Sequence, residues 1–255
     1  MRAIVLAAGE GSRMLSTQPK SLHLVDGVPM TLRVLNSLDG IDLDVIVVVV
    51  GSQARLVSET LFQMSDNPIR LEFAEQTVRR GTADAARVGL EQFGLGDLSD
   101  LDFDVLVVPG DMPLLTRKTL SQLQEHHEES GAAATLLTAE FEDPSGYGRI
   151  LRDEHGRIER VVEHVDAAPA ELAIHEVNTS VYCFKSRLLA QALAEVESSN
   201  SQNEYYLTDV VEILSKSGQL VTGVVVGEPD EVRGVNTQEQ LVECEILLRA
   251  RTKMK

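Results

Sequence analysis

The chain has no tryptophan, and aromatic residues fill only 4% of its 255 positions, so its core must be packed from aliphatic side chains. It has only two cysteines, Cys183 and Cys244, far apart in sequence. That count excludes a disulfide framework, and the spacing fits no metal site. One bridge or two free buried thiols remain, and the free thiols are the expectation. Positive charge is scarce too: 23 Lys and Arg face 40 Asp and Glu, a formal net charge of −17. A field of that sign repels polyanions, so no nucleic-acid partner is expected. An anionic small substrate would need a local cluster of cations or a metal ion. No apolar run is long enough to span a membrane, and the run after Met1 is too short for the core of a signal peptide. A cytoplasmic protein without a membrane partner is expected.

What is present is enough apolar side chain, 43% of residues, for a substantial core. Short β-branched runs recur at Ala3–Leu6, Val45–Val50, Leu71–Ala74, Val105–Val108 and Ala133–Thr138. Most are apolar throughout, as in strands covered on both faces. Amphipathic stretches near Thr31–Leu38, Gln53–Gln63, Thr82–Phe93 and Thr116–Glu129 separate them. The alternation predicts βαβ units and an α/β fold. Beyond it, Tyr147–Arg152 and Arg157–Glu163 flank a turn cluster and read as a hairpin. A strand at Val177–Phe184, helices near Leu188–Val196 and Tyr206–Ser215, and a strand at Leu220–Val226 follow. A long helix runs from Thr237 to the end. No internal repeat is visible, and in particular no hexapeptide repeat of a left-handed β-helix.

In an open α/β sheet, ligands gather at the C-terminal ends of strands. The first strand runs into Leu6-Ala7-Ala8-Gly9-Glu10-Gly11-Ser12-Arg13-Met14, with Pro19-Lys20 after it. Small residues there let backbone N–H groups approach a phosphate chain, with Arg13 as a forked donor and Lys20 as a point charge. Met14 stands where a dinucleotide fingerprint needs a third glycine, and no Gly-Lys-Ser/Thr makes a Walker loop. Pro109-Gly110-Asp111 follows the strand Val105–Val108 and sets a carboxylate at a strand end. One carboxylate plus substrate phosphates is a common magnesium arrangement.

The string Leu6–Met14 with Pro19-Lys20, then Ser21-Leu22-His23 and Pro29-Met30, resembles the sugar-nucleotide pyrophosphorylases. Within that family it is similar to the uridyltransferase half of the bacterial bifunctional uridyltransferase/acetyltransferases, over essentially the whole chain. The resemblance implies a Rossmann-like, mixed but mostly parallel sheet flanked by helices, the nucleotide-diphospho-sugar transferase fold, with a small β-rich sugar-binding lobe. It implies a nucleotidyltransferase domain over 1–236, split into a nucleotide half (about 1–115) and a sugar half (about 116–236), then a C-terminal helix over 237–255. It implies uridylyl transfer from UTP to N-acetylglucosamine 1-phosphate with Mg²⁺ as cofactor. Arg13 and Lys20 would be catalytic, and Asp111 and Asn236 would bind the metal. Leu6, Ala7, Ala8, Gly9, Gly11, Gln76, Gly81 and Thr82 would hold the nucleotide. Gly148, Glu163, Asn178, Tyr206 and Thr208 would hold the sugar.

Simpler readings stand beside these. Thr82 fits a helix N-cap, and Asn236 fits the N-cap of the last helix. His126-His127 lies in an acidic run and reads as a solvated helix face. Arg79 and Ser180 depart from the family, which often has Gln and usually Gly there, and Pro109 replaces a Tyr or Ser of some relatives. A different sugar phosphate, dTTP, or a catalytically silent nucleotide-binding module are the alternatives. With no β-helix, neither acetyl transfer nor a trimer is expected, and the chain is expected to be mainly monomeric.

Overall fold

The apolar runs become the central strands. A computed structural model of the chain describes residues 1–66, 70–94 and 102–253. Its first part contains β1 (Arg2–Ala7), β2 (Leu24–Val25), β3 (Val28–Pro29), α1 (Met30–Ser37), β4 (Ile46–Val50), α2 (Ala54–Met64), β5 (Leu71–Glu75), α3 (Thr82–Gln92) and β6 (Asp104–Pro109). Then come α4 (Arg117–Ser130), β7 (Ala134–Glu140), β8 (Arg149–Arg152), β9 (Ile158–Val162), α5 (Pro169–Leu172) and β10 (Glu176–Lys185). The chain closes with α6 (Ser186–Glu195), α7 (Asp209–Lys216), β11 (Val221–Val225) and α8 (Gln238–Lys253). The last two residues of the expected terminal helix lie outside the described residues.

The main sheet has the order β11-β7-β10-β6-β1-β4-β5, with the β8–β9 hairpin attached through β10. β1 pairs in parallel with β4 and β6, β4 with β5, and β7 with β11. β10 alone runs antiparallel to both of its neighbours in that order, β6 and β7, which makes the sheet mixed but mostly parallel, as expected. Alternation along each strand feeds two cores. Ile4, Val47, Val49, Val105 and Val107 point to the face covered by α3, α6 and α7. Ala3, Val5, Val48, Leu106 and Val108 point to the face covered by α1, α2 and α4. Both cysteines are free and buried. Among the described residues, no helix is long and apolar enough to cross a membrane.

Three local expectations are corrected. α7 starts at Asp209 and not at Tyr206, because tertiary hydrogen bonds hold the preceding segment: Tyr205 N donates to Arg80 O (2.7 Å) and Leu207 N to Thr82 Oγ1 (3.0 Å). His127 is fully buried, its Nδ1 2.8 Å from Thr135 Oγ1 and its Nε2 3.6 Å from Asp104 Oδ1. It shares the inner face of α4 with Leu120 and Leu123, while the acidic residues beside it in sequence fall on other faces. Asn236 is not the cap of α8. Thr237 Oγ1 accepts from Gln240 N, and Gln240 Oε1 accepts from Thr237 N, a reciprocal capping box.

α8 folds back onto the α/β domain. Cys244, with Leu241, Leu247 and Leu248 around it, packs on Met14, Val25, Met30, Leu114 and Val235. Val242 and Ile246 stay exposed on its far side. Ser180 sits at a register shift in β10, with φ at +61°. That left-handed conformation at a bulge explains the family's glycine there, and a serine must bear the strain.

Candidate active site

Three strand ends and one helix start build the first cluster. β1 delivers Leu6–Gly9, β4 delivers Gly51, and β6 delivers Gly110-Asp111. A cleft of about 400 Å³ opens between Ala7–Glu10 and Gly51–Gln53. Gly110 N donates to Leu6 O (2.8 Å), which locks the ends of β1 and β6 together, and Thr31 Oγ1 donates to Gly110 O (2.8 Å). Gly11 has φ +66°, and a Cβ there would overlap the Lys20 stem. The loop thus turns tightly enough to lay Lys20 along it.

Lys20 Nζ donates to Asp111 Oδ2 and, at 2.8 Å, to Asn236 Oδ1. Arg13 Nη2 donates to the same Asn236 oxygen at 3.1 Å. Val235 N donates to Asp111 O (2.9 Å), which ties the segment carrying Asn236 to the end of β6. The fold therefore brings Arg13, Lys20, Asp111 and Asn236 into one cluster from three distant places in the chain. The Lys20 side chain is only 12% exposed, so it is a packed, paired cation and not the solvent-facing one a surface lysine suggests.

Gln76 and Gly81-Thr82 form the next wall. Gln76 is buried, and its Nε2 donates to Asp84 Oδ2 (2.8 Å) and Gly81 O (3.2 Å). Gly81, at φ +116°, is the N-cap of α3, and a Cβ there would strike the Tyr205 backbone. Thr82 is not that cap; its hydroxyl accepts from Leu207 N. Arg79 pairs with Glu10, bridging this wall to the glycine-rich loop after β1. The departure from the family's Gln thus has a partner of its own. Sequence reasoning missed Asp84 and Glu10. A carboxylate in a first helical turn reads as a dipole partner, and nothing along the chain couples it to Gln76.

The remaining site residues gather around β8–β10 and the turn before α7. Gly148 O accepts from Asn178 N (2.9 Å). Asn178 is buried and its Nδ2 donates to Tyr182 Oη at 2.7 Å, so its amide nitrogen is already engaged. Thr208 Oγ1 donates to Glu163 Oε1 at 3.0 Å. Burial raises the Glu163 carboxyl above its ordinary range, the Thr208 bond opposes this, and nearby Asp166 adds to it. Tyr206 is 9% exposed, and its hydroxyl, which makes no hydrogen bond of normal length among the described residues, is pushed up to about 12 by burial and by Asp166, Glu163 and Glu204. Asp209, at the start of α7, is raised to about 6 by burial, then by Glu163, Glu212 and Asp166. Asp166 does not stand out in the sequence, and Asp209 is given no role there.

Comparison with known proteins places the chain. The nucleotidyl transferase family matches residues 2–227. The chain is 43% identical over 253 residues, 99% of its length, to the bifunctional protein GlmU of Bacillus thuringiensis (strain Al Hakam) and to that of Bacillus anthracis. It covers 53% of each, so it spans about half the length of these curated relatives. A crystal structure of UDP-glucose pyrophosphorylase complexed with UDP-glucose superposes with a TM-score of 0.78 over 98% of both chains, at 17% identity, a likeness of fold. The family match runs from the first strand past β11, and identity to the curated relatives extends through α8. The chain belongs to the nucleotidyl transferase family.

Proposed function

We propose that the chain transfers a uridylyl group from UTP to N-acetylglucosamine 1-phosphate, giving UDP-N-acetylglucosamine and pyrophosphate, with Mg²⁺ as cofactor. The observation that carries this reading is the gathering of Arg13 and Lys20 onto Asp111 and Asn236 beside a glycine-rich strand end. The 43% identity to GlmU proteins across the chain supports the choice of this reaction within the family. Leu6, Ala7, Ala8, Gly9 and Gly11 would cradle the triphosphate through backbone N–H groups. Arg13 and Lys20 would bind its oxygens, supplying the local positive charge that an acidic chain otherwise lacks. Gln76, Gly81 and Thr82 would face the base.

The donor set fits a hard divalent cation: one carboxylate and one amide oxygen, already gathered around the Lys20 ammonium. Asp111 and Asn236 would hold Mg²⁺, which would supply positive charge to offset that of the substrate phosphates. The attacking group is the phosphate oxygen of the sugar phosphate, already an anion. The chain needs neither a nucleophile nor a general base of its own. Its residues align that oxygen with the α-phosphorus; one P–O bond forms there as the bond to pyrophosphate breaks. Gly148, Glu163, Asn178, Tyr206 and Thr208 would hold the amino sugar. On this reading 1–115 is the nucleotide half and 116–236 the sugar half. Another sugar phosphate, or dTTP, is the neighbouring reading, since solved structures of this fold include UDP-glucose pyrophosphorylase.

Pyrophosphate release from UTP and N-acetylglucosamine 1-phosphate, with Mg²⁺ and with excess chelator, tests the proposal. Product only with metal is expected, and full activity in chelator would remove the metal assignment. A panel of nucleotides and sugar phosphates separates the neighbouring reading. We also propose a mainly monomeric, cytoplasmic enzyme, and light scattering over a range of concentrations tests the first part.

A further inference from the structure

Asp84 is a buried carboxylate, 6% exposed, in the first turn of α3. Its Oδ1 receives Arg87 Nη2 at 2.7 Å and Arg80 Nη2 at 3.1 Å, and its Oδ2 receives Gln76 Nε2 at 2.8 Å. Burial pushes this carboxyl up. The hydrogen bonds from Arg87 and Gln76, with the charges of Arg80 and Arg87, outweigh that and hold it below the usual range. Asp84 is therefore ionised at neutral pH and can only accept hydrogen bonds.

That state decides which way the Gln76 amide points. Its nitrogen faces two acceptors, Asp84 Oδ2 and Gly81 O. Turning the amide over would set Gln76 Oε1 against both, with lone pairs opposed and the Asp84 charge uncompensated on that side. Among the described residues, no group donates a hydrogen bond to Gln76 Oε1. The amide is thus locked with its oxygen as the unused end.

We propose that Asp84 is a positioning residue for base choice: by holding the Gln76 amide nitrogen, it leaves Gln76 to meet a base only through oxygen, so the site selects a pyrimidine that carries an imino N3–H. The proposal rests on the reading that Gln76 faces the base. Uracil and thymine offer N3–H as a donor. Cytosine presents a lone pair at N3 and would meet the Gln76 oxygen acceptor to acceptor. Asp84 therefore separates UTP and dTTP together from CTP. It does not separate UTP from dTTP.

Asp84→Asn tests this. Arg80 and Arg87 keep the amide oxygen at position 84, so its NH₂ turns toward Gln76 and rewards the reversed Gln76 orientation. Only the Gly81 carbonyl then opposes reversal. The expected outcome is a fall of about tenfold or more in the UTP-to-CTP ratio of kcat/KM, the scale at which a buried hydrogen-bonding group discriminates. The change should lie in the nucleotide KM values, with KM for N-acetylglucosamine 1-phosphate unmoved. An unchanged ratio, or equal losses with both nucleotides, would overturn the proposal. In a Gln76→Ala background the same substitution should leave the ratio alone, and an equal effect there would show that Asp84 acts without Gln76 and overturn it as well. If Asp84→Asn does not fold, Gln76→Ala alone decides: the ratio must collapse, and a wild-type ratio defeats the proposal. No turnover by the wild-type chain with any nucleotide defeats the uridylyl reading itself. Wild-type turnover with equal use of UTP and CTP defeats only the role given to Asp84.

Discussion

The two clusters of the site handle charge in opposite ways. Around the β1 loop, Arg13 and Lys20 already sit on Asp111 and Asn236, so cations and their oxygen partners are matched inside the protein. Around β9 and α7, Glu163, Asp166, Asp209 and Glu212 lie near one another, and burial and mutual repulsion raise Glu163 and Asp209. The first cluster would exchange partners when a polyphosphate and a metal arrive. The second would gain partners, because sugar hydroxyls can donate to carboxylates that now have few donors. Damage to the first should therefore appear in the rate of the chemical step. Damage to the second should appear in sugar affinity and in the pH dependence of stability.

Asp111→Asn gives the largest effect that contrast requires. We expect kcat to fall by at least ~10²-fold, the usual scale for losing one electrostatic contact to a transition state, with the fold retained by circular dichroism. Unchanged kcat would erase the distinction at its strongest point. Glu163→Ala comes next: KM for the sugar phosphate should rise about tenfold, as for loss of a hydrogen bond to a charged group, while the Kd for UTP stays put. Equal damage to UTP binding, read by calorimetry, would merge the two clusters into one.

Asp209→Asn sharpens the comparison through pH. The Asp209 pKa is raised to about 6 in the folded chain, above the unfolded value. The folded state then binds more protons than the unfolded state between roughly pH 4 and 6, so this residue's contribution to stability falls as pH rises through that window. The asparagine variant should melt higher than wild type at pH 8 and gain less at pH 5. A gain independent of pH would show that repulsion among the carboxylates is not its source. The smallest expected effect is on neither substrate. Ser180→Gly should relieve the left-handed strain at the β10 bulge and add about 1 kcal/mol to unfolding free energy by denaturant titration, with kcat unchanged.

How far the sequence shows these clusters depends on the kind of signal. The alternation of apolar runs and amphipathic stretches gives the order of the large elements, because burial on two sheet faces writes itself into residue type. β2, β3 and α5 escape it; each is too short to show a period. Arg13, Lys20 and Asp111 are legible because each follows or ends a strand. Asn236 is legible only by resemblance, and its neighbour Thr237 takes the cap the sequence offered it. His127 misleads because charge is read along the chain while burial follows the helix face. Asp84 is invisible for a related reason: its partner is an amide eight residues upstream, just past the end of β5.

The backbone join between the two walls has one further consequence. Ala83 N donates to Tyr205 O, Tyr205 N to Arg80 O and Leu207 N to Thr82 Oγ1, at 2.7–3.0 Å. The segment that would read the base and the segment that would read the sugar are therefore fastened edge to edge. A displacement of either on binding would be delivered to the other through the backbone. Such a linkage would make the two ligands cooperative, and thermodynamic reciprocity then requires that each tighten the other by the same factor. Titrating UTP with and without the sugar phosphate, and the sugar phosphate with and without a nonhydrolysable UTP analogue, measures both factors. Replacing Thr82 with valine keeps its bulk and removes one of the three fastenings. The two factors should then shrink together toward one, and an undiminished synergy would show that the join is only a seam in the fold.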